Sequence, residues 1–181
     1  MTVIWVRETN PPKGEKAIEW VLYTSLPVDT YAAAVVVIGY YEKRWLIEEW
    51  HKALKTGCRV EERQLKTPER LEAMLGLMSV VAVRLLQLKS LARTDPERPA
   101  KKVVPELWID MLAAARKIKQ VTKATLTVYQ FYRELAKLGG FLGRKHDGEP
   151  GWITLWRGWE KLNAFIRGYE LGQQLDTKRS G

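Results

Sequence analysis

The chain has 181 residues, of which 46% are hydrophobic and 28% are charged, so it can bury a sizeable core and is not predicted to be disordered. Its 30 Lys and Arg residues against 21 Asp and Glu residues give a net charge of +9, which indicates either a polyanionic partner such as nucleic acid or an ordinary basic surface. The single cysteine, Cys58, excludes a disulfide framework and a cysteine-rich zinc site, and it is typical of a reducing cytoplasm.

Membrane association is not expected from the sequence. The first seven residues lack the basic start and long apolar run of a signal peptide. The most apolar stretch, residues 71–88, is interrupted by polar residues such as Glu72 and Arg84, so we predict that it is too short and too polar to span a bilayer.

Two short segments near the start of the chain are predicted to be β-strands. Residues 2–8 and 18–24 are rich in β-branched and aromatic side chains, and a cluster of Asn, Pro and Gly at residues 10–14 separates them. The connection is longer than a tight hairpin, but adjacent antiparallel strands are the predicted arrangement. Because two strands alone make a marginal sheet, we interpret them as the end of a larger sheet.

The rest of the chain is predicted to be helical. The first helix should cover residues 31–55 after a cap at Asp29 or Thr30. The second should follow the cap Thr67, and it should be buried because it is apolar around most of its circumference. Three further helices are expected at residues 105–118, 127–138 and 152–173.

These elements predict a mainly α protein with a short N-terminal β-hairpin, which is an α+β fold in two parts. Residues 1–66 would hold the strands and the long helix, and residues 67–181 would form a helical module. The last helix spaces Trp152, Trp156 and Trp159 at intervals of three and four, which is typical of core packing. Any exposed part of this stripe would be a candidate homodimer face.

The long helix carries a mixed polar face. At about 100° per residue, one arc of about 80° collects a phenol, three cations and a carboxylate, namely Tyr41, Arg44, Glu48, Lys52 and Lys55. Trp45 borders this arc, and Ile47, Trp50 and Leu54 group on the opposite side. Spacing alone favours solvated i,i+4 salt bridges around Glu48. The surplus of positive charge and the neighbouring indole instead suit a surface that follows phosphates and stacks a base.

The same helix carries a family signature. Four positions match the pattern Y-x2-R-x3-E-x6-K, namely Tyr41, Arg44, Glu48 and Lys55. The similarity extends in order to residues 19–24, 47–58, 63–65, 82–88 and 143–159. Over essentially its whole length the chain resembles the C-terminal part of insertion-sequence-4-type DDE transposases, which are bacterial cut-and-paste enzymes. The combination of motifs reverses the preference for a salt-bridge face.

The resemblance implies a role for each matching position. Glu48 would be the third carboxylate of a catalytic triad on an RNase-H-like core, and a ligand of the Mg²⁺ or Mn²⁺ ions used in phosphodiester cleavage. The residues that would contact the double-stranded DNA of a transposon end are Tyr41, Arg44, Trp45, Lys52, Lys55 and Trp20. Trp20 as a core strand residue is the open alternative. The C-terminal helices resemble the family's dimerisation and end-binding module, which implies a homodimer through these helices.

The chain also departs from the family pattern. The other two triad carboxylates are expected upstream, and no aspartate of this chain occupies either position. We therefore expect that the chain alone does not bind Mg²⁺ or Mn²⁺ stably and is inactive in strand cleavage. Two alternatives stay open, a truncated transposase that acts as a dimerising inhibitor and a basic helical protein that binds nucleic acid without chemistry. The expected location is the bacterial cytoplasm, in association with the nucleoid.

Overall fold

In the computed structural model, residues 1–119, 123 and 125–179 are described, and the chain divides into two compact units, Met1–Glu48 and Glu49–Gly181. The described elements are mainly helical with one two-stranded antiparallel hairpin, which confirms the α+β class. The division falls earlier than the boundary predicted after residue 66. Its cause is burial, because Ala53 and Leu54 pack into the core of the second unit.

The first unit begins with the predicted hairpin, which is confirmed. β1 (Thr2–Arg7) and β2 (Glu19–Thr24) pair antiparallel. Because side chains alternate between the two faces of a strand, Ile4 and Leu22 lie opposite each other on one face, and both are buried. The other face carries four exposed apolar side chains, those of Val3, Trp5, Val21 and Tyr23. A hairpin that is apolar on both faces is typical of strands inside a larger, covered sheet.

The helix predicted over residues 31–55 is interrupted, so the prediction of one continuous helix was wrong. α1 (Tyr31–Glu42) begins after Thr30, whose hydroxyl accepts a backbone amide at 3.2 Å. α2 (Trp45–Lys52) follows after two residues, and a π-helical turn (Ala53–Gly57) comes next.

The interruption between α1 and α2 is a local tightening of the backbone. The amides of Lys43 and Arg44 donate to carbonyl oxygens three residues back, at 3.2 and 2.9 Å. Bonds of this kind close a turn of three residues instead of 3.6. The positions of side chains around the helix axis, predicted at about 100° per residue, are therefore not continuous from α1 to α2. Of the residues grouped on the side opposite the polar face, Ile47 is 57% exposed and Leu54 is buried.

The second unit starts at Glu49, and its first buried residues lie in the π-helical turn. Ala53 and Leu54 are buried together with Cys58. The next residue, Arg59, has a left-handed backbone with φ of 52°, which is uncommon for a residue other than glycine. A short 3₁₀ turn, Val60–Glu62, follows.

α3 (Pro68–Thr94) begins as predicted after Thr67, whose hydroxyl accepts the Arg70 amide at 3.4 Å. It is less buried than its composition predicted. The buried residues of α3 all lie in its C-terminal half, and they are Val81, Ala82, Leu85, Leu88 and Ala92. Leu77 near its middle is 67% exposed. An apolar circumference thus indicates how much of a helix can be covered, and within one chain the fully buried positions of α3 begin at Val81.

By length and composition alone α3 could cross a membrane, so the prediction that polar residues exclude a span was too strict. The core helix of a soluble protein passes the same test. Of the most apolar part of α3, 22% is buried inside the protein, where it contributes to the core of its unit.

The other helices that the sequence predicts follow in the described part of the second unit, in the predicted order. They are α4 (Glu106–Arg116), α5 (Val128–Leu138) and α6 (Trp152–Arg179). α5 begins with a capping box in which Thr127 and Gln130 each bond the other's backbone amide, at 3.3 and 3.0 Å. α6 runs several residues beyond its predicted end.

The tryptophan stripe of α6 packs into the core, which confirms that prediction. Trp152 and Trp156 are buried, and Trp159 is partly buried with its ring centroid 5.3 Å from that of Trp156. Tyr132 on α5 is also buried, and its hydroxyl donates to the Pro150 carbonyl at 3.1 Å.

α5 and α6 approach most closely where glycines allow it. A Cβ on Gly158 would overlap the Leu135 carbonyl oxygen and would lie 2.8 Å from its carbon and 3.3 Å from the Gly139 nitrogen. A Cβ on Gly139, just after α5, would overlap the Thr154 carbonyl oxygen. Real Cβ atoms essentially never come closer than 3.0 Å to such atoms. The absence of side chains at both positions therefore sets the distance between these helices.

The last part of α6 extends away from the core of its unit. Ile166 is the last buried residue, and every described side chain from residue 167 to residue 177 is exposed. We call residues 167–177 the C-terminal arm. Its exposed apolar side chains include Tyr169, Leu171 and Leu175.

Candidate functional site

The residues predicted to form the site lie in both compact units, and each group is described within its own unit. The first unit contains Trp20, Tyr41, Arg44, Trp45 and Glu48. The second unit contains Lys52 and Lys55.

Four side chains of the first unit form a row from β2 to α2. The ring of Tyr41 meets the indole of Trp20 edge to face, with centroids 4.9 Å apart. The guanidinium carbon of Arg44 lies 5.9 Å from the centroid of the Tyr41 ring. Arg44 in turn places Nη1 2.6 Å from Oε1 of Glu48. The structure therefore brings the indole of Trp20 next to a phenol, a cation and a carboxylate that lie about 20 or more positions later in the sequence.

The pair formed by Arg44 and Glu48 is open to solvent. The hydrogen bond from Arg44 to Glu48, reinforced by the opposite charge, raises the pKa of the guanidinium above its ordinary value. The side chains are 55% and 63% exposed, respectively, and exposed ion pairs contribute little net stability. Arg44 can therefore exchange the carboxylate for another anion, such as a phosphate oxygen, without leaving a buried charge behind.

The two indoles predicted to stack on a base differ in exposure. Trp45, the first residue of α2, is 43% exposed. Trp20 is partly buried on β2 beside Tyr41, as a core strand residue would be. An edge-to-face neighbour covers only part of an indole, so both the core role and the stacking role of Trp20 stay open.

In the second unit, the two predicted cations have different surroundings. Lys55 Nζ lies 2.8 Å from Oε1 of Glu61, and this hydrogen bond with its opposite charge raises the pKa of Lys55. Lys52 is exposed and makes no hydrogen bond or ion pair with the described part of the chain. Both ammonium groups are accessible to a polyanion. At Lys55 the polyanion would compete with the Glu61 carboxylate, whereas no described carboxylate pairs with Lys52.

The described residues do not form a metal site by themselves. Mg²⁺ and Mn²⁺ take about six oxygen ligands, commonly from several carboxylates. Across residues 1–119, 123 and 125–179, no group of three His, Cys, Asp or Glu side chains is placed to hold an ion. The partner of Glu48 is the cation of Arg44. Glu48 is a single carboxylate, and the described residues beside it do not add the further ligands that such an ion needs.

The structure gives Glu49 surroundings that differ from those of Glu48, the glutamate that the signature matches. The Glu49 carboxylate is only 24% exposed and accepts a hydrogen bond from Lys89 at 3.2 Å. The Lys89 ammonium also lies 4.5 Å from the centroid of the buried Trp152 ring. Glu49 is therefore a packing residue of the second unit, whereas Glu48 stays exposed and pairs with the exposed Arg44.

The basic loop before α6 is also exposed. The Asp147 carboxylate accepts the Arg144 backbone amide at 2.8 Å, so this aspartate shapes the loop. The side chains of Arg144 and Lys145 are exposed, which suits either a solvated loop or contacts to a phosphate backbone.

Comparison with known protein families identifies the chain. The family model of the Tn5 transposase dimerisation domain matches residues 80–176, which is more than half of the chain. The matched region contains α4, α5 and most of α3 and α6, and it ends within the C-terminal arm. The match supports formation of a homodimer and agrees with the resemblance of the motifs to the C-terminal region of a transposase. The chain therefore belongs to the family of Tn5 transposase dimerisation domains.

Proposed function

We propose that the chain is the C-terminal portion of a DDE transposase and that Glu48 is the third carboxylate of its catalytic triad. The observation that carries the proposal is the row formed by Trp20, Tyr41, Arg44 and Glu48, because its last three members are three of the four signature residues. The family match to the dimerisation domain supports the transposase assignment independently of that row. The two-faced apolar hairpin supports a larger, RNase-H-like sheet of which β1 and β2 are part.

The proposed DNA contacts follow from the chemistry of each side chain. Arg44 is suited to a bidentate contact with a phosphate, and Lys52 and Lys55 act as point charges. Tyr41 offers a hydroxyl donor. An indole can stack on an extruded base, for which Trp45 is the more exposed candidate and Trp20 the less exposed one.

Catalysis by this family uses divalent cations, and one carboxylate is too few to hold them. Bound Mg²⁺ or Mn²⁺ would stabilise the attacking and leaving oxygens of a phosphodiester. Glu48 would supply one ligand, and the remaining carboxylates would have to come from outside the described residues. We therefore propose that the 181-residue polypeptide alone does not cleave DNA.

A plasmid-nicking assay with Mg²⁺ or Mn²⁺ tests this part of the proposal. The 181-residue protein is expected to leave a supercoiled plasmid intact. Glu48→Ala is the test variant, and Glu42→Gln, which removes an exposed carboxylate outside the signature, is the control. Metal-dependent nicking that Glu48→Ala abolishes and Glu42→Gln preserves would overturn the proposed inactivity and would establish the catalytic role of Glu48.

DNA binding is tested separately by fluorescence anisotropy with a labelled duplex carrying a Tn5-type transposon end. Arg44→Gln and Lys52→Gln should each weaken binding and lower the slope of log affinity against log salt by about one, because each removes a phosphate contact. If neither variant differs from Glu42→Gln, the proposed DNA surface is wrong. A basic protein without any preference for transposon ends would bind a scrambled duplex equally well.

The C-terminal arm is the proposed dimer surface. On a helix with about 100° per residue, an arc of about 160° collects Phe165, Gly168, Tyr169, Leu171, Gly172 and Leu175. Leu171 and Leu175 are each 60% exposed, and an exposed apolar stripe of this kind is typical of an interface. Because the arm lies inside the matched dimerisation region up to residue 176, we place the homodimer contact on this stripe.

The dimerisation match also favours a second candidate function, inhibition of a full-length transposase. A chain that dimerises without cleaving DNA would form inactive mixed dimers. Added to a strand-transfer assay of a full-length Tn5-type transposase, the chain should lower the yield in proportion to its concentration and should co-elute with the enzyme. Activity unchanged at a large excess of the chain would exclude this function. Either role places the protein in the bacterial cytoplasm, at the nucleoid.

A further inference from the structure

A small polar cleft in the second unit is not used by the site described above. It has a volume of about 220 Å³ and is bordered by the turn after Gly57, by Arg63 and by the first two turns of α6. Three guanidinium groups line it, those of Arg59, Arg63 and Arg157. Sites for small organic ligands usually have volumes of about 300–1,000 Å³ and mostly apolar walls, so this cleft suits a smaller, charged group.

The backbone holds the first two arginines at the rim of the cleft. Arg59 adopts the left-handed conformation, with φ of 52° and ψ of 47°, which turns the chain sharply after Cys58. Residues other than glycine that take this conformation concentrate at functional sites. The Arg63 guanidinium donates to the Cys58 carbonyl at 3.5 Å, so the turn and the side chain are linked.

The charges in the cleft are unequal. Arg59 Nε donates to the Glu62 carboxylate at 2.7 Å, and Arg63 lies 4.0 Å from Glu160. Arg157 is exposed and makes no hydrogen bond or ion pair with any described residue. Three guanidinium groups against two carboxylates leave one positive charge uncompensated, and it resides on Arg157.

The two carboxylates hold the arginines loosely. The side chains of Arg59 and Glu62 are 55% and 58% exposed, and exposed pairs of this kind contribute little. A phosphate oxygen can therefore take the place of a carboxylate at low cost. Guanidinium groups suit this exchange because their paired N–H donors match two oxygens of one phosphate.

We infer that the cleft of Arg59, Arg63 and Arg157 binds a backbone phosphate of DNA, with Arg157 as the main contact. The inference rests on the proposed function, since DNA is the polyanion that a transposase encounters. It adds a contact in the second unit that the signature does not include. The cleft would position the duplex without reading its sequence, because a phosphate is common to all base pairs.

Anisotropy titration with a fluorescein-labelled DNA duplex of about 20 base pairs, at about 50 and about 200 mM NaCl, tests the inference. Arg157→Gln should weaken binding about three- to tenfold at the lower salt and reduce the salt slope by about one. The matched control is Arg70→Gln, which removes the same charge from an exposed position in the first turn of α3, outside the cleft. The control should stay within about twofold of the unsubstituted protein.

Each outcome decides the question. Equal losses in the two variants would overturn the inference, because they would report net charge and not a site. Unchanged binding in Arg157→Gln, while Arg44→Gln weakens binding, would overturn the cleft and leave the proposed function standing. An unsubstituted protein that does not bind the duplex would overturn both. Restored affinity in Arg157→Lys, with a normal melting temperature in every variant, would exclude a folding effect.

Discussion

The close contact between α5 and α6 provides a sharp test of the fold, through the substitution Gly158→Ala. A methyl group at this position would overlap the Leu135 carbonyl oxygen and lie 2.8 Å from the carbonyl carbon. These are backbone atoms of α5, so no side chain can rotate to make room. α5 and α6 would have to separate by about 1 Å, and the packing of buried neighbours such as Leu155 and Leu162 would loosen.

The size of the effect follows from two opposing terms. Replacing glycine by alanine inside a helix favours folding by about 0.5–1 kcal/mol. Inserting a methyl group into a packed contact costs about 1–3 kcal/mol, and the cost should lie at the upper end where only backbone can yield. We expect Gly158→Ala to lower the free energy of unfolding by about 2 kcal/mol, which corresponds to a fall in Tm of roughly 6–10 °C for a unit of this size.

Thermal unfolding followed by circular dichroism and tryptophan fluorescence measures this difference. Gly76→Ala is the matched control, because it makes the same change inside α3 of the same unit, where no atom lies within 4 Å of the new Cβ. The control should raise stability by about 0.5–1 kcal/mol. If Gly158→Ala is as stable as Gly76→Ala, the close crossing of α5 and α6 does not exist as described.

Three other predictions concern the second unit. Replacing both Leu171 and Leu175 by Ser should convert the dimer to a monomer in sedimentation velocity, and an unchanged dimer would show that the contact lies elsewhere. Burial raises the pKa of Cys58 to about 11, so the thiol should react slowly with a disulfide reagent at about pH 8 until the protein is denatured; equal rates before and after denaturation would contradict its burial. Burial works to raise the pKa of Glu134, but hydrogen bonds from Lys137 and Arg116 outweigh it and lower the pKa below its ordinary value. A lowered pKa in the folded state gives stability that is present above the ordinary value of 4.5 and is lost as the pH falls through the folded value. Glu134→Gln should therefore flatten the acid side of the stability curve, and an unaltered curve would refute the role of this carboxylate.

Helix starts were the most predictable part of the fold. Thr67 with Pro68, and Thr127 with Gln130, mark their helices through local hydrogen bonds that any neighbouring structure would leave intact. The hairpin was predictable for a similar reason, since its strands are rich in β-branched and aromatic residues and a breaker cluster separates them. The tryptophan stripe of α6 was predictable because its spacing matches one side of a helix.

The features that the sequence did not reveal depend on tertiary packing or on small backbone changes. Nothing in the residue types at Lys43 and Arg44 announces a tighter turn, yet that turn alters the faces of the helical residues after it. The exposure of the first half of α3 depends on which elements lie beside it. The partial burial of Glu49 became visible only when Lys89 and its neighbours were located in space. Residue type determines which chemistry a side chain can perform, and packing decides which of several residues of one type is accessible to a ligand.

The helical order of the C-terminal arm should depend on the protein concentration, because dimer formation does. Residues 167–177 gain no burial within one chain, so their helix is maintained only by propagation from the packed part of α6, which adds little free energy per residue. In dilute solution the amide hydrogens of the arm should exchange progressively faster toward residue 177, as in a fraying helix. When a second chain covers the stripe, burial supplies the missing free energy and the exchange slows. Hydrogen exchange along the arm is thus a direct measure of assembly, because the helix there reaches full stability only as part of a pair.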